Sequence, residues 1–169
     1  MRCPMTEKKK HLPVWPLCLV LAVILILSVL NPICRYVYTK DFVKRSDEQL
    51  AELFANDIET KDLTGSEKPV FFYGSAGTRT NASCLDLSTG QYDIFSVFDA
   101  ADALELDTVE ASQYIVNYLN GLGYDYTAPT AKDWELYEKE MAEFVPLWKL
   151  FPWYDGIYET EHCIIVQLS

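Results

Sequence analysis

The longest uninterrupted pattern in the chain is apolar: residues 12–30 read LPVWPLCLVLAVILILSVL, with Ser28 as the only hydroxyl and no charged side chain. A run this long has no polar face to offer water, unlike a helix on the surface of a soluble domain. At a helical rise of about 1.5 Å per residue it spans about 28 Å, close to the hydrocarbon thickness of a bilayer. The pattern predicts a transmembrane helix over 12–30. Pro13 and Pro16 fall near its start, where missing amide donors matter least. Trp15 at one end, and Tyr36 and Tyr38 beyond the other, suit the two membrane–water interfaces. Residues 28–35, SVLNPICR, offer no pair of small residues at the spacing of a signal-peptidase site, so the span is expected to stay uncleaved.

Beyond a juxtamembrane stalk at 31–45, read as helix or extended chain, the periodicity changes. Ser46-Asp47-Glu48-Gln49 has the form of a capping box, and Leu50, Leu53, Phe54 and Ile58 follow on one face, predicting a helix over 47–60. Val70-Phe71-Phe72-Tyr73, ended by Gly74, is apolar without alternation, as in a short strand buried on both faces. Residues 74–83 read as a surface loop, Cys84-Leu85-Asp86-Leu87 as a second strand, and 92–98 as either strand or helical turn. Asp107 with Glu110 starts a helix whose stripe is Ile115, Leu119 and Leu122 and whose stop is Gly123. Thr130 with Asp133 starts another, with Trp134, Tyr137, Met141 and Phe144 along one side and Pro146 beyond it. The chain closes with Gly156-Ile157-Tyr158, a polar turn near Thr160, and Cys163-Ile164-Ile165-Val166, which read as a hairpin or two adjacent strands. The expected fold is α/β (or α+β): an N-terminal transmembrane helix, then a small domain of about three helices on a short sheet at 46–169.

Charge divides the chain at the same place. Residues 1–45 carry eight basic groups against two acidic ones, whereas the remainder carries six basic and 23 acidic groups. The acidic domain repels polyphosphate, and its basic residues are scattered singly, which argues against nucleic acid as a partner. Lys8, Lys9 and Lys10 abut the span, while the far-side charges start at Arg35 and are diluted by Asp41. The positive-inside tendency therefore places the basic N-terminus, 1–11, in the cytoplasm and the acidic domain outside the cell.

Candidate chemistry is sparse. His162 is the only histidine of the acidic domain, and beside Cys163 in a strand the two side chains would point to opposite faces, which precludes a nucleophile pair. No cofactor or metal is expected, since Cys84, Cys163 and His162 provide no close ligand pair. Cys84 and Cys163 are either a disulfide or two buried thiols. Gly74-Ser75-Ala76-Gly77 is turn chemistry rather than a phosphate loop. Carboxylate pairs such as Asp99 with Asp102 or Asp86 with Asp93 are no more frequent than so acidic a domain produces by chance. Trp148, Phe151, Trp153 and Tyr154 beside Asp155 form an aromatic cluster that is either core or a sugar-stacking platform, with Trp148, Trp153, Tyr154 and Asp155 as the glycan contacts in the second case.

The order of short motifs resembles a known arrangement. Lys68-Pro69-Val70-Phe71-Phe72-Tyr73-Gly74, Leu122-Gly123-Tyr124, Ala128-Pro129-Thr130, Phe151-Pro152-Trp153, Gly156-Ile157 and the terminal Ile164-Ile165-Val166-Gln167-Leu168-Ser169 are similar to the last transmembrane helix and soluble tail of bacterial multi-pass glucosyltransferase-domain membrane proteins. The resemblance covers about residues 12–169 and includes no catalytic motif. It implies a single-pass, non-enzymatic accessory or interaction domain of the bacterial cell envelope. Its partners would be the lipid bilayer and either a multi-pass membrane glycosyltransferase or an envelope glycan. The alternative it implies is a split or truncated glycosyltransferase component, active only with such a multi-pass partner.

Overall fold

The predicted span, stalk and first domain helix are a single element. In a computed structural model, which describes residues 14–76, 82–83, 93–144, 150–152 and 156–168, α1 runs from Val14 to Thr60 without interruption. Its 47 residues extend about 70 Å. The helix has two environments. From Trp15 to Leu30 every side chain is exposed, whereas Val43, Asp47, Ala51, Phe54 and Ile58 are buried along one stripe. The first half is long and apolar enough to cross a membrane; the second is a wall of the folded core.

This corrects the expected capping box. Ser46 lies inside α1, not before it, so the amides that a cap would satisfy are already bonded within the helix. Asp47 instead turns inward and accepts hydrogen bonds from Ser96 Oγ and, at 3.1 Å, from the amide of Val97.

The remaining elements are β1 (Val70–Tyr73), β2 (Ala82–Ser83), β3 (Asp93–Ile94), a 3-10 turn at Val97–Asp99, α2 (Ala100–Leu104), α3 (Thr108–Gly121), α4 (Ala131–Phe144), β4 (Ile157–Glu159) and β5 (Ile164–Gln167). A mixed sheet has the order β1-β5-β4, with β1 parallel and β4 antiparallel to β5. A separate two-stranded ribbon joins β2 and β3. The fold is thus mixed α/β. The segment read as either strand or helical turn is both in succession: β3, then the 3-10 turn. The strand expected at 84–87 lies outside the described residues.

The unalternating strands are explained by helices on both faces of the sheet. Val70, Phe72, Ile164 and Val166 face Phe54 and Ile58 of α1 and Ile115, Val116 and Leu119 of α3. Phe71 and Ile165 face the other way, onto Met141, Trp134 and Tyr137 of α4. The outer edge of β1 is closed by a side chain: Ser112 Oγ of α3 accepts from the amide of Phe72 at 2.8 Å, so this edge presents no free amide there. The helix caps agree with the sequence. Asp107 accepts from the amide of Glu110 at 2.9 Å, and the Thr130 hydroxyl and amide both donate to Asp133 Oδ2. Gly123 takes the left-handed conformation at φ 102° that stops α3. Leu122, expected on the apolar stripe, is instead exposed, because α3 ends at Gly121 and the chain turns there.

Candidate functional site

The residues proposed as glycan contacts, Trp148, Trp153, Tyr154 and Asp155, lie outside the described residues, as does Cys84. Cys163 is a buried free thiol whose Sγ lies 3.2 Å from Thr160 Oγ1, and burial pushes its pKa up. His162 sits in the turn before β5 rather than in the strand. Its Nδ1 lies 3.1 Å from Glu140 Oε2, and its ring lies on that of Tyr137, with centroids 5.1 Å apart and planes 10° apart. Among the described residues no group of three or more His, Cys, Asp or Glu side chains is arranged to hold a metal. Asp99 is buried and Asp102 exposed, so that pair does not converge.

Two polar sites emerge, one at each end of β1. At its N-terminal end, where β5 also begins, an open cleft of about 550 Å³ lies among the 66–69 loop, Thr127, α4 and the 161–162 turn. Its frame is tied down. Lys68 Nζ donates to Glu159 Oε1 and to the Thr160 carbonyl, each at 2.7 Å. Glu140 of α4 accepts from the amide of Glu161 at 2.9 Å as well as holding His162, so one carboxylate fixes the whole turn. The Thr160 hydroxyl, with His162 and the Glu161 amide, holds the Glu140 carboxyl below its ordinary range.

At the C-terminal end of β1 lies a fully buried pair of carboxylates. Ser75 Oγ donates to Asp99 Oδ1 at 2.6 Å, and the Ser96 hydroxyl that donates to Asp47 also accepts from the amide of Phe98 at 3.2 Å. Asp99 Oδ2 and the Tyr118 hydroxyl are buried and without partners among the described residues. Burial pushes the Asp47 carboxyl above its ordinary value, with the charges of Asp99 and Glu48 adding to the effect and the Ser96 and Val97 hydrogen bonds opposing it. Burial, with the nearby charges of Asp47 and Glu48, likewise pushes Tyr118 up to about 12.

The pH dependence of stability follows. Because the folded chain binds the Asp47 proton more tightly than the unfolded chain, the stability from this group is complete below 3.8 and is lost as pH rises through its raised pKa. Glu140 acts oppositely: its contribution is present above 4.5 and is lost as pH falls through its lowered pKa. Urea unfolding of the full chain in nanodiscs is therefore expected to show stability climbing as pH falls through the raised Asp47 pKa toward 3.8, opposed by loss of the Glu140 contribution below 4.5. Asp47→Asn is expected to flatten the climb; an unchanged profile in that variant would remove Asp47 as its source.

Neither the Glu140–His162 pair nor the Asp47 cluster was apparent from spacing along the chain. One signal did exist for the second, because Asp47 falls on the stripe of Val43, Ala51, Phe54 and Ile58, and a carboxylate on an apolar stripe needs a buried partner. Comparisons with protein-family models, curated proteins and solved structures gave no match to this chain.

Proposed function

We propose that this protein is a single-pass, membrane-anchored interaction domain without catalysis of its own, held outside the cytoplasm on a helical stalk and associated with the glycan-modifying machinery of a bacterial envelope. The observation that carries the anchored reading is α1 itself, since one helix supplies both the exposed apolar run and the buried wall of the core. Orientation is supported by Lys8, Lys9 and Lys10 at the near edge of the run. Association with glycan chemistry, and with a multi-pass glycosyltransferase as partner, is supported by the resemblance of the motifs between Lys68 and Ser169 to the soluble tail of such enzymes.

Placing two arginines in the run tests the anchor. Leu21→Arg with Ile24→Arg adds about 5–7 kcal/mol to the insertion free energy. The native chain is expected to stay with membranes through alkaline carbonate extraction and the double variant to be released. Protease added to intact cells is expected to digest the acidic domain. Release of the native chain by carbonate would overturn the anchor, and protection of the domain until lysis would overturn its orientation alone.

A further inference from the structure

The cleft at the N-terminal ends of β1 and β5 combines a fixed frame with unused polar groups. Lys68, Asp133 and Glu140 are committed to the hydrogen bonds that hold the surrounding loops. By contrast, the Tyr137 hydroxyl, the Thr127 hydroxyl, the Glu161 carboxylate and the second ring nitrogen of His162 have no partner among the described residues. The imidazole of His162 is held flat by two contacts, the Tyr137 ring behind it and Glu140 at Nδ1, and it remains half-exposed. A flat, pre-oriented ring bordered by hydroxyl and carboxylate groups matches the two needs of a sugar, whose C–H face is apolar and whose hydroxyls both donate and accept.

Charge narrows the class of ligand. Glu67, Asp133 and Glu161 line the cleft, while the one ammonium there among the described residues, Lys68, is already paired with Glu159. A phosphate or nucleotide would meet net negative charge with no free cation among the described residues to receive it, whereas an uncharged polyol meets acceptors for its hydroxyls. The open, shallow form of the cleft suits a ligand that binds across its surface and exchanges readily.

The geometry points to this cleft as a binding site for a neutral saccharide, stacked on the outer face of His162 and hydrogen-bonded to Glu161, Tyr137 and Thr127. The inference deepens the glycan-linked reading above, and anchoring is tested separately by extraction, so either can fail alone.

The test uses the full chain in phospholipid nanodiscs free of sugar-based detergent, with the His162 ring carbon–proton resonance observed by NMR. Maltotetraose, cellotetraose and chitotetraose are the probes. At least one is expected to shift the resonance saturably, with glucose 6-phosphate binding more weakly than glucose. Glu161→Gln alters an exposed group outside the folding contacts and is expected to weaken binding about tenfold while leaving urea unfolding unchanged. Tyr137→Phe, which keeps the ring stack, is expected to weaken it less. Absence of a saturable shift with all three sugars, or equal binding by Glu161→Gln, would overturn the site; so would tighter binding of the phosphorylated sugar.

Discussion

Gly156→Ala is expected to disrupt the sheet more than the same change at Gly65, Gly121 or Gly123. A Cβ at this position would lie 2.2 Å from the Phe151 nitrogen, 2.7 Å from the Leu150 carbonyl carbon and 2.9 Å from the Gln167 oxygen. All three are backbone atoms, so no side chain can rotate aside. The neighbouring strand must move, and with it go the hydrogen bonds from Phe151 to the Gln167 carbonyl at 2.7 Å and from Gln167 to the Gly156 carbonyl at 2.8 Å. Overpacking of a yielding core costs about 1–3 kcal/mol, and a rigid contact with loss of two ladder bonds raises this to about 3–5 kcal/mol. Urea unfolding of the full chain in nanodiscs, followed by tryptophan fluorescence, is the measurement. A loss below about 1 kcal/mol would mean that the backbone at Leu150 and Phe151 gives way freely.

Phe54→Ala should cost a similar amount for the opposite reason. The Phe54 ring is fully buried where α1 meets the sheet, and its centroid lies 5.5 Å from that of Phe72, 5.1 Å from Tyr126 and 6.1 Å from Phe151. Truncation removes one ring from four and leaves a cavity that the rigid α1 cannot close, a loss of about 3–5 kcal/mol. Because Phe54 joins the stalk helix to β1 and to the segment before β4, its removal is expected to raise amide exchange in Val70–Tyr73 as well as lowering the unfolding midpoint. Exchange confined to α1 would show that the helix is docked independently of the sheet.

What the sequence made legible was whatever is decided locally. The caps at Asp107 and Thr130, the left-handed stop at Gly123 and the doubly buried run Val70–Tyr73 each depend on a few adjacent residues, and each lies where the pattern placed it. Ser46 misled because the capping-box pattern reports only that a helix can start, and the preceding stalk was already helical. The polar sites were illegible for a different reason. Glu140 and His162 lie 22 positions apart, and Asp47 and Ser96 lie 49 apart. Such pairs exist only once the sheet and helices have packed. The partner at the outer edge of β1, Ser112, is hidden likewise, since a serine within a helix carries no mark of the strand amide it will accept.

An unbroken α1 makes the domain and its candidate membrane span a single lever. Pro32 removes one amide donor from the helical ladder near the predicted membrane boundary without breaking the helix. From Leu30 to Phe54 the arm is about 36 Å long, so a tilt of the apolar run by about 20° would carry the folded domain sideways by about 12 Å. Rotation of the span about its own axis would turn the cleft through the same angle. With residues 15–30 in a bilayer, a change in its thickness or a neighbouring helix leaning on them would therefore re-aim the folded domain without altering any contact inside it.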